Sequence, residues 1–510
     1  MKTILEYLEQ TEKKYPDSTA VEDLEGTMTW SQIGRLSRQM GTAFAARTKR
    51  GRPAVILAEK SRTVLAAMLG VVYAGCFYVM ADPSLPAARI REILHILEPE
   101  LVVTEEKHMP LLQETGFSGR ICLLKEAGRE NADPELLGKI REQSRDTDLL
   151  YGIFTSGSTG TPKGIVVSHR AAGDFIFHFT ETFGFTEKDR IGNQAPFDFD
   201  VSVKDIYTCV MTGAALVIIP RSLFSSPPLL LDYLCEREIT TLIWAVSALT
   251  LVSSLKGLRY RIPEKVKRIL FSGEVMPARQ LALWREALPK TEFVNLYGPT
   301  EITCNCTYYR IGKNFHEKDK LPVGSPFPGR KVFLLDEKGR EISEPEKTGE
   351  ICVTGESLAE GYYRNPEETG KRFIQYSFED GSRQRCYCTG DLGYWGADGE
   401  LYFSGRKDFQ VKHMGHRIEL EEIERALEQI PGLERSCCIL DTRRNQLAAF
   451  YLGEAFPEEI RREMKRKLPV YMIPHRLFQV SSMPLNKNGK TDRSYFRKLL
   501  EEGKACVQKD

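Results

Sequence analysis

Residues 153 to 164 read IFTSGSTGTPKG. A hydrophobic strand end at Ile153 and Phe154 runs into a loop of Gly, Ser and Thr that Lys163 closes. Glycines let backbone N–H groups converge on an anion, while the hydroxyls add donors and the lysine adds charge. The spacing is not that of a Walker loop, because Gly-Lys-Ser/Thr does not occur at the required offset. The stretch predicts a phosphate-binding loop after a strand, the alternative being a flexible surface turn.

Strand-like and helix-like stretches alternate around this loop. From residue 1 to about residue 320, short apolar runs are separated by stretches with helical spacing, and the clearest runs are residues 54 to 57, 215 to 219, 241 to 245 and 268 to 271. This alternation is typical of helices that cover a largely parallel sheet. We therefore predict an α/β fold for this part of the chain.

The pattern changes twice further along. Between about residues 325 and 405, short strands follow each other closely, separated by Gly, Pro and Asp turns, which indicates a small distorted β-barrel. After residue 405 the pattern becomes that of a small α+β unit. We therefore expect a large N-terminal domain of residues 1 to 405, built of α/β subdomains and the barrel, and a small C-terminal domain of residues 411 to 510.

Composition narrows the class of protein. The chain has 510 residues, of which 42% are hydrophobic and 28% charged, enough for about three folded units. Lys and Arg number 71 against 70 Asp and Glu, so there is no overall basic field to hold a nucleic acid. The twelve cysteines are scattered, which is typical of reduced thiols in a cytosolic protein. Their close pairs, at 304 and 306 and at 386 and 388, lack the spacing and the histidine partners of a zinc site.

One uncharged stretch, residues 63 to 81, is almost long enough to span a bilayer. Gly75 stands where a helix would end, and the β-rich residues 76 to 80 follow it. We predict a buried helix followed by a buried strand.

Glu6 and Glu9 interrupt the N-terminal apolar patch, so no signal peptide is expected and the predicted location is the cytoplasm.

Nine sequence blocks follow one another in a fixed order. They are AGCFYVMADPSLP (74 to 86), TSGSTGTPKG (155 to 164), FDFDVSVKDIY (197 to 207), SGEVMP (272 to 277), NLYGPTE (295 to 301), YCTGD (387 to 391), GRKDFQVKHMGHRIELEEIE (405 to 424), LPVYMIP (468 to 474) and NKNGKTDR (486 to 493). In these blocks the chain resembles the adenylate-forming ligases over nearly its whole length. It is most similar to the amino-acid adenylation domains of nonribosomal peptide synthesis and to the stand-alone D-alanine:carrier-protein ligases. The resemblance implies an enzyme that uses ATP and Mg²⁺ to make an aminoacyl-AMP from a small amino acid, D-alanine or serine-like.

The resemblance also implies the nucleotide site. Lys490 would bridge the substrate carboxylate and the phosphate, Thr300 would donate to the α-phosphate, and Glu301 would bind Mg²⁺, which prefers oxygen ligands. The other implied contacts with ATP are Thr155, Ser156 and Lys163 in the phosphate loop, Gly273 and Glu274 beside the adenine, Asn295 at its amino group, Tyr297 stacked on it, Leu296 and Gly298 in the same block, Asp391 at the ribose, and Arg406 at the ribose or phosphate. Cys388 stands where relatives usually carry arginine, so the contact made by that arginine is absent or replaced.

In the same way, Asp200 would pair with the α-ammonium of the substrate. It favours an amino acid over a plain carboxylic acid, whereas the residues alone leave it open as a helix N-cap, with Asp198 as a rival. The implied pocket lining is Val201, Lys204, Trp244, Leu270, Ser272, Leu296, Cys304 and Asn305. Trp244 and the leucines would fill volume and favour a small side chain. Lys204 would either pair with Asp200 one helical turn away or point inward to receive an acidic side chain.

The resemblance also implies two half-reactions in one active site, adenylation and then thioester formation, with a C-terminal domain that moves between them. The resemblance places a hinge in residues 406 to 410, at Asp408, about which the C-terminal domain swings. Lys490 would act in adenylation, whereas in the second state Gly415 would line a tunnel for the pantetheine thiol. The chain ends twenty residues after Lys490, so the aminoacyl acceptor is expected to be a separate carrier protein.

Two other functions remain open from the sequence. An acyl- or aryl-CoA synthetase would share most blocks but would have no ammonium to bind. A nucleotide-binding module without catalytic activity is the second, and the presence of Lys490, Glu301, Asp391 and the phosphate loop argues against it.

Overall fold

The computed structural model describes residues 3 to 157, 160 to 316, 318 to 485 and 491 to 502. We call residues up to 405 the body and residues from 411 the C-terminal part. The α-helices are α1 (Ile4–Lys14), α2 (Trp30–Ala45), α3 (Arg62–Tyr73), α4 (Ala87–Leu97), α5 (Met109–Glu114), α6 (Leu124–Ala127), α7 (Pro134–Gln143), α8 (His169–Phe183), α9 (Val201–Thr212), α10 (Pro227–Glu236), α11 (Val246–Ser254), α12 (Ala278–Ala287), α13 (Pro366–Arg372), α14 (Leu420–Glu428), α15 (Pro457–Lys467) and α16 (Arg493–Glu501). Short 3₁₀ helices cover Glu106–His108, Arg221–Ser225, Gly257–Arg259, Thr300–Ile302 and Val470–Met472.

The strands lie between these helices in the body and at closer spacing after residue 306. They are β1 (Thr19–Asp23), β2 (Gly26–Thr29), β3 (Pro53–Leu57), β4 (Phe77–Ala81), β5 (Leu101–Thr104), β6 (Arg120–Leu123), β7 (Leu149–Thr155), β8 (Lys163–Ser168), β9 (Arg190–Asn193), β10 (Ala215–Ile218), β11 (Thr241–Ala245), β12 (Arg268–Ser272), β13 (Glu292–Tyr297), β14 (Thr307–Arg310), β15 (Ser325–Pro326), β16 (Arg330–Leu335), β17 (Glu341–Ile342), β18 (Gly349–Gly355), β19 (Gly361–Tyr362), β20 (Phe373–Ser377), β21 (Arg383–Trp395), β22 (Leu401–Arg406), β23 (Gln410–His413), β24 (His416–Glu419), β25 (Leu433–Asp441), β26 (Gln446–Gly453) and β27 (Arg476–Gln479).

A seven-stranded sheet forms the first half of the body, in the order β19-β8-β7-β4-β3-β5-β6. Strands β4, β3, β5 and β6 pair in parallel, and β7 is parallel to β4. Strand β8 returns antiparallel to β7, so the predicted phosphate loop connects two paired strands.

The uncharged run at residues 63 to 81 forms helix α3 and strand β4, as predicted. Gly75 adopts a φ of +71° between them, a conformation that glycine takes without steric cost. Val64 to Tyr73 are all buried on the helix, which explains the apolar sequence. Across the described residues, every helix is too short or too polar to cross a bilayer.

A nine-stranded sheet forms the second half, in the order β15-β14-β13-β12-β11-β9-β10-β1-β2. Its centre, from β1 to β13, is parallel. The largest hydrophobic core joins both sheets through residues of α2, α3, α8 and α9. The α/β prediction is therefore confirmed, and the carboxyl ends of β11, β12 and β13 meet at one edge.

A third sheet is antiparallel, in the order β17-β16-β18-β21-β20 with β22 beside β21. It corresponds to the β-rich segment expected between about residues 325 and 405. The C-terminal part contains the hairpin β23-β24 and a sheet of β25, β26 and β27. Its apolar residues form cores of their own, in which Ile423, Leu427, Ile460 and Met464 are buried.

Candidate functional site

A cleft with a volume of about 2620 Å³ lies between the body and the C-terminal part. Its walls bring together predicted nucleotide contacts from four separate blocks, namely Gly273, Glu274, Asn295, Leu296, Tyr297, Asp391 and Arg406, together with the predicted hinge residue Asp408. They meet because β12 and β13 are neighbouring parallel strands that end at one edge of the sheet. On the third sheet, Asp391 and Arg406 are register partners.

Asp391 is the centre of a polar network in this cleft. The Tyr297 hydroxyl donates to Asp391 Oδ2 at 2.7 Å, and Arg406 binds the other carboxylate oxygen. The Arg406 guanidinium also holds Asp408, with Nη2 2.7 Å from Oδ2. Burial and the neighbouring Asp391 carboxylate raise the pKa of the Tyr297 hydroxyl, so it stays protonated and acts as a donor.

Asn295 lines the cleft with its amide nitrogen already bound. Its amide nitrogen donates to the Pro322 carbonyl at 2.7 Å, and Asn295 is among the cleft residues. No hydrogen-bond donor among the described residues reaches its Oδ1 atom. This orientation fits the predicted contact with an adenine amino group, which is a donor.

Glu301 is 1% exposed and remains an anion in the interior. Its Oε1 accepts from the Tyr362 hydroxyl at 2.8 Å, and Arg417 Nη1 lies 2.8 Å from both carboxylate oxygens. Burial alone would raise the pKa of Glu301, but the Arg417 charge and the Tyr362 hydroxyl outweigh it and hold the pKa below its usual value.

The donor set at Glu301 fits a bound Mg²⁺ only when Arg417 has moved away. Within the part of the chain that the structure describes, His, Cys, Asp and Glu residues form no cluster of three or more that would hold a metal. Mg²⁺ is commonly held by one or two protein carboxylates together with substrate phosphates. The two hard oxygens of Glu301 suit that mode, because the phosphates would supply the other ligands.

The described part of the phosphate loop is bound to the C-terminal part. Ser156 Oγ donates to the Arg417 carbonyl at 2.7 Å, and the Gly157 N–H donates to Glu422 Oε2 at 3.1 Å. The other Glu422 oxygen accepts from Arg89 at 2.8 Å. A carboxyl group of the C-terminal part thus lies on a backbone amide of the loop, and phosphate binding by this loop stays a prediction.

Lys163 lies away from the cleft lining. It pairs with Thr155 across strands β7 and β8, and its ammonium is 2.6 Å from Glu368 Oε1. The same ammonium lies 5.5 Å from the centre of the Tyr362 ring. The structure therefore brings Ser156 to the C-terminal part and leaves Lys163 in a separate ion pair.

Asp200 lies at the start of α9 but does not cap it. The structure places Asp200, not Asp198, at the N-cap position, where its side chain makes no capping hydrogen bond. Instead, the Thr300 hydroxyl donates to Asp200 Oδ2 at 2.8 Å. Burial raises the pKa of the Asp200 carboxyl, although Lys204 and Thr300 act in the opposite direction. The N-cap alternative therefore does not account for this aspartate.

Lys204 lies deeper than Asp200, with 1% of its surface exposed. Its ammonium donates to Asn305 Oδ1 at 2.8 Å and to Ser272 Oγ at 3.4 Å. It forms no ion pair with Asp200. Of the two alternatives left by the sequence, the direct pair with Asp200 is not formed, and reception of an acidic side chain stays a prediction.

The remaining predicted pocket residues divide into two groups. Val201 and Leu296 line the cleft, and Leu270 belongs to the core that also contains Leu296. Trp244 lies on the opposite face of the nine-stranded sheet, where its indole donates to the Gly192 carbonyl at 2.8 Å. Its ring packs against Phe224, with centroids 5.3 Å apart, so the structure does not bring Trp244 to the pocket.

Gly298 permits a close approach of two blocks. A Cβ atom on Gly298 would lie 2.6 Å from the Cα of Asn305, which is too close for any side chain. Cys304, next to it, donates to the Asp200 carbonyl at 3.1 Å. The glycine therefore holds the predicted pocket residues Cys304 and Asn305 against the nucleotide block.

The sequence model described as AMP-binding enzyme matches residues 8 to 363. The chain belongs to the AMP-binding enzyme family. This AMP-binding enzyme is 33% identical over 475 residues to an L-proline--[L-prolyl-carrier protein] ligase of Streptomyces coelicolor, with 87% of each chain covered. It is 31% identical over 501 residues to tyrocidine synthase 1 of Brevibacillus parabrevis, where the match covers 96% of this chain and 44% of that protein. The chain thus spans less than half the length of that relative.

The fold of this AMP-binding enzyme matches solved adenylation domains. A Vibrio cholerae adenylation domain, AlmE, solved in complex with glycyl-adenosine-5'-phosphate, superposes with a TM-score of 0.86 at 21% identity and covers 98% of both chains. The resemblance to adenylation domains that the motifs indicated is therefore confirmed at the level of family and fold.

Sequence reasoning missed several charged residues of the C-terminal part. Lys412 lines the cleft. Burial lowers the pKa of its ammonium, and the negative charges of Asp391 and Asp200 offset part of that shift. Arg417 and Glu422 reach Glu301 and the phosphate loop, as described above. The block from residue 405 to 424 contained these charges, but nothing in it indicated their partners in the body.

Gly415 lies at the edge of the predicted adenine site. Its N–H donates to the Glu274 carboxylate, and a Cβ atom there would lie 3.3 Å from the Ala245 Cβ. The predicted catalytic residue Lys490 lies outside the described residues, so the structure says nothing of its position.

Proposed function

We propose that this AMP-binding enzyme joins the carboxylate of an amino acid to the α-phosphate of ATP, with release of pyrophosphate. It then transfers the aminoacyl group to the phosphopantetheine thiol of a separate carrier protein. The observation that carries the proposal is the Asp200 carboxylate, which does not cap its helix and instead binds Thr300 beside the nucleotide residues. An anion at that point suits a substrate with an α-ammonium. The S. coelicolor relative, a prolyl-carrier protein ligase by name, supports an amino acid and a carrier as the two substrates.

The roles follow from the chemistry of each group. Asn295 binds the adenine amino group, Tyr297 lies against the base, and Asp391 with Arg406 binds the ribose. Glu301 holds Mg²⁺, which when bound neutralises charge on the phosphates. Thr300 releases Asp200 and donates its single hydroxyl hydrogen to the α-phosphate, which frees Asp200 for the α-ammonium. Lys490 approaches from the C-terminal part to bridge the two reacting anions.

We propose that the C-terminal part, residues 411 to 510, moves on a hinge at residues 406 to 410. The arrangement seen here suits thioester formation, because Arg417 occupies the Glu301 oxygens that Mg²⁺ needs and Gly415 lies at the adenine edge. For adenylation, the C-terminal part must rotate so that Arg417 leaves Glu301 and Lys490 enters the cleft. The proposal places the enzyme in the cytoplasm, where ATP is available.

The substrate is a small amino acid in this proposal. Val201 and Leu296 at the cleft, and Leu270 in the core beside them, limit the volume. The buried polar groups of Lys204, Ser272 and Asn305 favour a polar side chain over the methyl group of D-alanine. A methyl group offers those groups no hydrogen bond.

ATP–pyrophosphate exchange tests the proposal. The assay compares the amino acids, in both stereochemical forms, with simple aliphatic and aryl acids. We expect exchange with an amino acid, and a fall of about 100-fold or more for Asp200→Asn, because the α-ammonium loses its charged partner. Asp232→Asn, on the surface helix α10, is the matched control.

Two results would contradict this function. Exchange supported only by acids without an amine would indicate an acyl- or aryl-CoA synthetase. ATP binding without exchange for any acid would indicate a nucleotide-binding module.

A further inference from the structure

Lys204 places a positive charge deep in the body, one helical turn after Asp200. It is among the largest fully buried side chains of the described residues, with 1% of its surface exposed. Its hydrogen-bond acceptors, Asn305 Oδ1 and Ser272 Oγ, are both neutral. A lysine ammonium has three N–H donors, so one of them has no acceptor among the described residues.

A buried ammonium is stable when a carboxylate compensates its charge. No carboxylate of the described residues forms an ion pair with Lys204. Two carboxyl groups lie beyond ion-pair distance but still attract the Lys204 ammonium electrostatically, namely Asp200 and Asp205. Asp205 is already hydrogen-bonded to Asn193 at 2.7 Å and also attracts Lys60. Asp200 and Asp205 therefore share the balancing of the Lys204 charge, both from beyond ion-pair distance.

Substrate binding changes this balance. If the α-ammonium of an amino acid pairs with Asp200, a second cation enters the site next to Lys204. A substrate with a neutral side chain would bring no anion to Lys204, because its α-carboxylate is directed to the phosphate in the proposed reaction. A substrate with an anionic side chain would supply the ion-pair partner that Lys204 lacks in the low-dielectric interior.

We propose that the amino acid activated by this enzyme carries a side-chain carboxylate, as in aspartate or glutamate, and that Lys204 binds it. The inference rests on the proposed function, because it needs the α-ammonium at Asp200. It names Lys204 as the residue that decides the substrate class, with Asn305 and Ser272 holding its ammonium in place.

The placement of Asp200 and Lys204 one helical turn apart suits such a substrate. Residues four apart on a helix are about 6 Å apart along its axis and lie on the same face. One molecule of aspartate or glutamate carries an ammonium and a side-chain carboxylate at a separation of this order. Val201 and Leu296 at the cleft would contact the carbon atoms between them.

Neutral side chains fit this site less well. The methyl group of alanine would offer no acceptor to the third donor of Lys204. The hydroxyl of serine would offer a neutral acceptor, which Ser272 and Asn305 already provide, and would leave the charge uncompensated. A carboxylate supplies both the acceptor and the charge.

The test is ATP–pyrophosphate exchange with pairs of substrates of equal shape. Aspartate is compared with asparagine and glutamate with glutamine, each in both stereochemical forms, alongside serine and D-alanine. We expect one of the acids to give a kcat/KM at least about 30-fold above that of its amide, since an unpaired buried charge costs at least that factor. This arm uses the unmodified protein and does not depend on a variant folding.

A variant then assigns the preference to Lys204. Lys204→Met removes the charge and keeps most of the volume, so we expect the ratio of acid to amide to fall to about one. Lys204→Arg keeps the charge and should retain a preference for the acid. Thermal unfolding and ATP binding by calorimetry show that both variants are folded with a working nucleotide site.

The outcomes separate the inference from the function on which it rests. Exchange that is strongest with serine, D-alanine or another neutral amino acid would overturn the inference and leave the proposed function standing. An acid preference that Lys204→Met does not change would also overturn it. Exchange with no amino acid at all would overturn the proposed function and the inference together.

Discussion

Arg417 Nη1 lies 2.8 Å from both carboxylate oxygens of Glu301. The guanidinium comes from the C-terminal part, and the carboxylate is the proposed ligand of Mg²⁺ in the body. A cation of the protein thus occupies the oxygens that the metal needs. Likewise the carboxyl group of Glu422 lies on a backbone amide of the phosphate loop. Binding of Mg²⁺ with ATP and this arrangement of the C-terminal part should therefore exclude each other.

Arg417→Ala should separate the two half-reactions. We expect transfer from a supplied aminoacyl-AMP to the carrier to fall about 10-fold or more, because the buried pair that holds this arrangement is broken. The KM for Mg²⁺ and ATP in pyrophosphate exchange should stay the same or fall, because a competitor for Glu301 is gone. Single-turnover transfer and exchange measure the two steps. Arg435→Ala, exposed on β25, serves as the control, and an equal loss in both steps would refute the competition.

Gly415→Ala should impair transfer more than adenylation. The added Cβ would lie 3.3 Å from Ala245 Cβ and 3.8 Å from Ser247 Oγ, beside the cleft. Gly399→Ala is a matched control, because Gly399 has a φ of +79° against +81° for Gly415 and open space around it. Both variants share the backbone strain of about 1–2 kcal/mol. A larger loss of thioester formation for Gly415→Ala would reflect its position, and similar losses would reflect strain alone.

Lys490→Ala should strongly reduce adenylate formation and affect transfer from supplied adenylate much less. The reason is that the lysine charge serves the step in which two anions meet. Lys490 lies outside the described residues, so this prediction rests on the sequence block alone. Exchange and single-turnover transfer, measured on the same preparation, check it. Comparable losses in the two steps would count against a C-terminal part that moves between them.

Glu422 should make stability depend on pH. Burial raises the pKa of its carboxyl from 4.5 to about 7, so between these values the folded protein binds more protons than the unfolded chain. The contribution of Glu422 to the free energy of unfolding is then greatest below pH 4.5 and falls as the pH rises to about 7. Relative to the wild type, Glu422→Gln should become more stable as the pH rises from 5 to 8.

Urea unfolding midpoints at several pH values measure this difference. Glu454→Gln, on an exposed position of the C-terminal part, is the control for loss of a charge. A difference between Glu422→Gln and the wild type that stays constant from pH 5 to 8 would contradict the shifted carboxyl.

The motif blocks named the nucleotide-site residues through the family resemblance, and the structure brings several of them together because they end neighbouring strands. Asn295 to Tyr297 close β13 and Ser272 closes β12, and neighbouring parallel strands end at the same edge. Trp244 shows where this reasoning stops. It too is near the end of a strand, but alternation along β11 turns its side chain to the opposite face, towards Phe224. Which face is the pocket depends on the packing of α9 against the sheet.

The amino-acid order alone determined the alternation of strands and helices, that a loop of Gly, Ser and Thr follows β7, and that a carboxylate precedes α9, because these depend on local composition and spacing. It could not determine which charges meet. Lys204 and Asn305 are 101 positions apart in the chain, and Arg417 and Glu301 are 116 apart. Such contacts arise from the register of the sheets and the placement of the C-terminal part on the body. Many distant residues set that placement together, so only the folded chain reveals it.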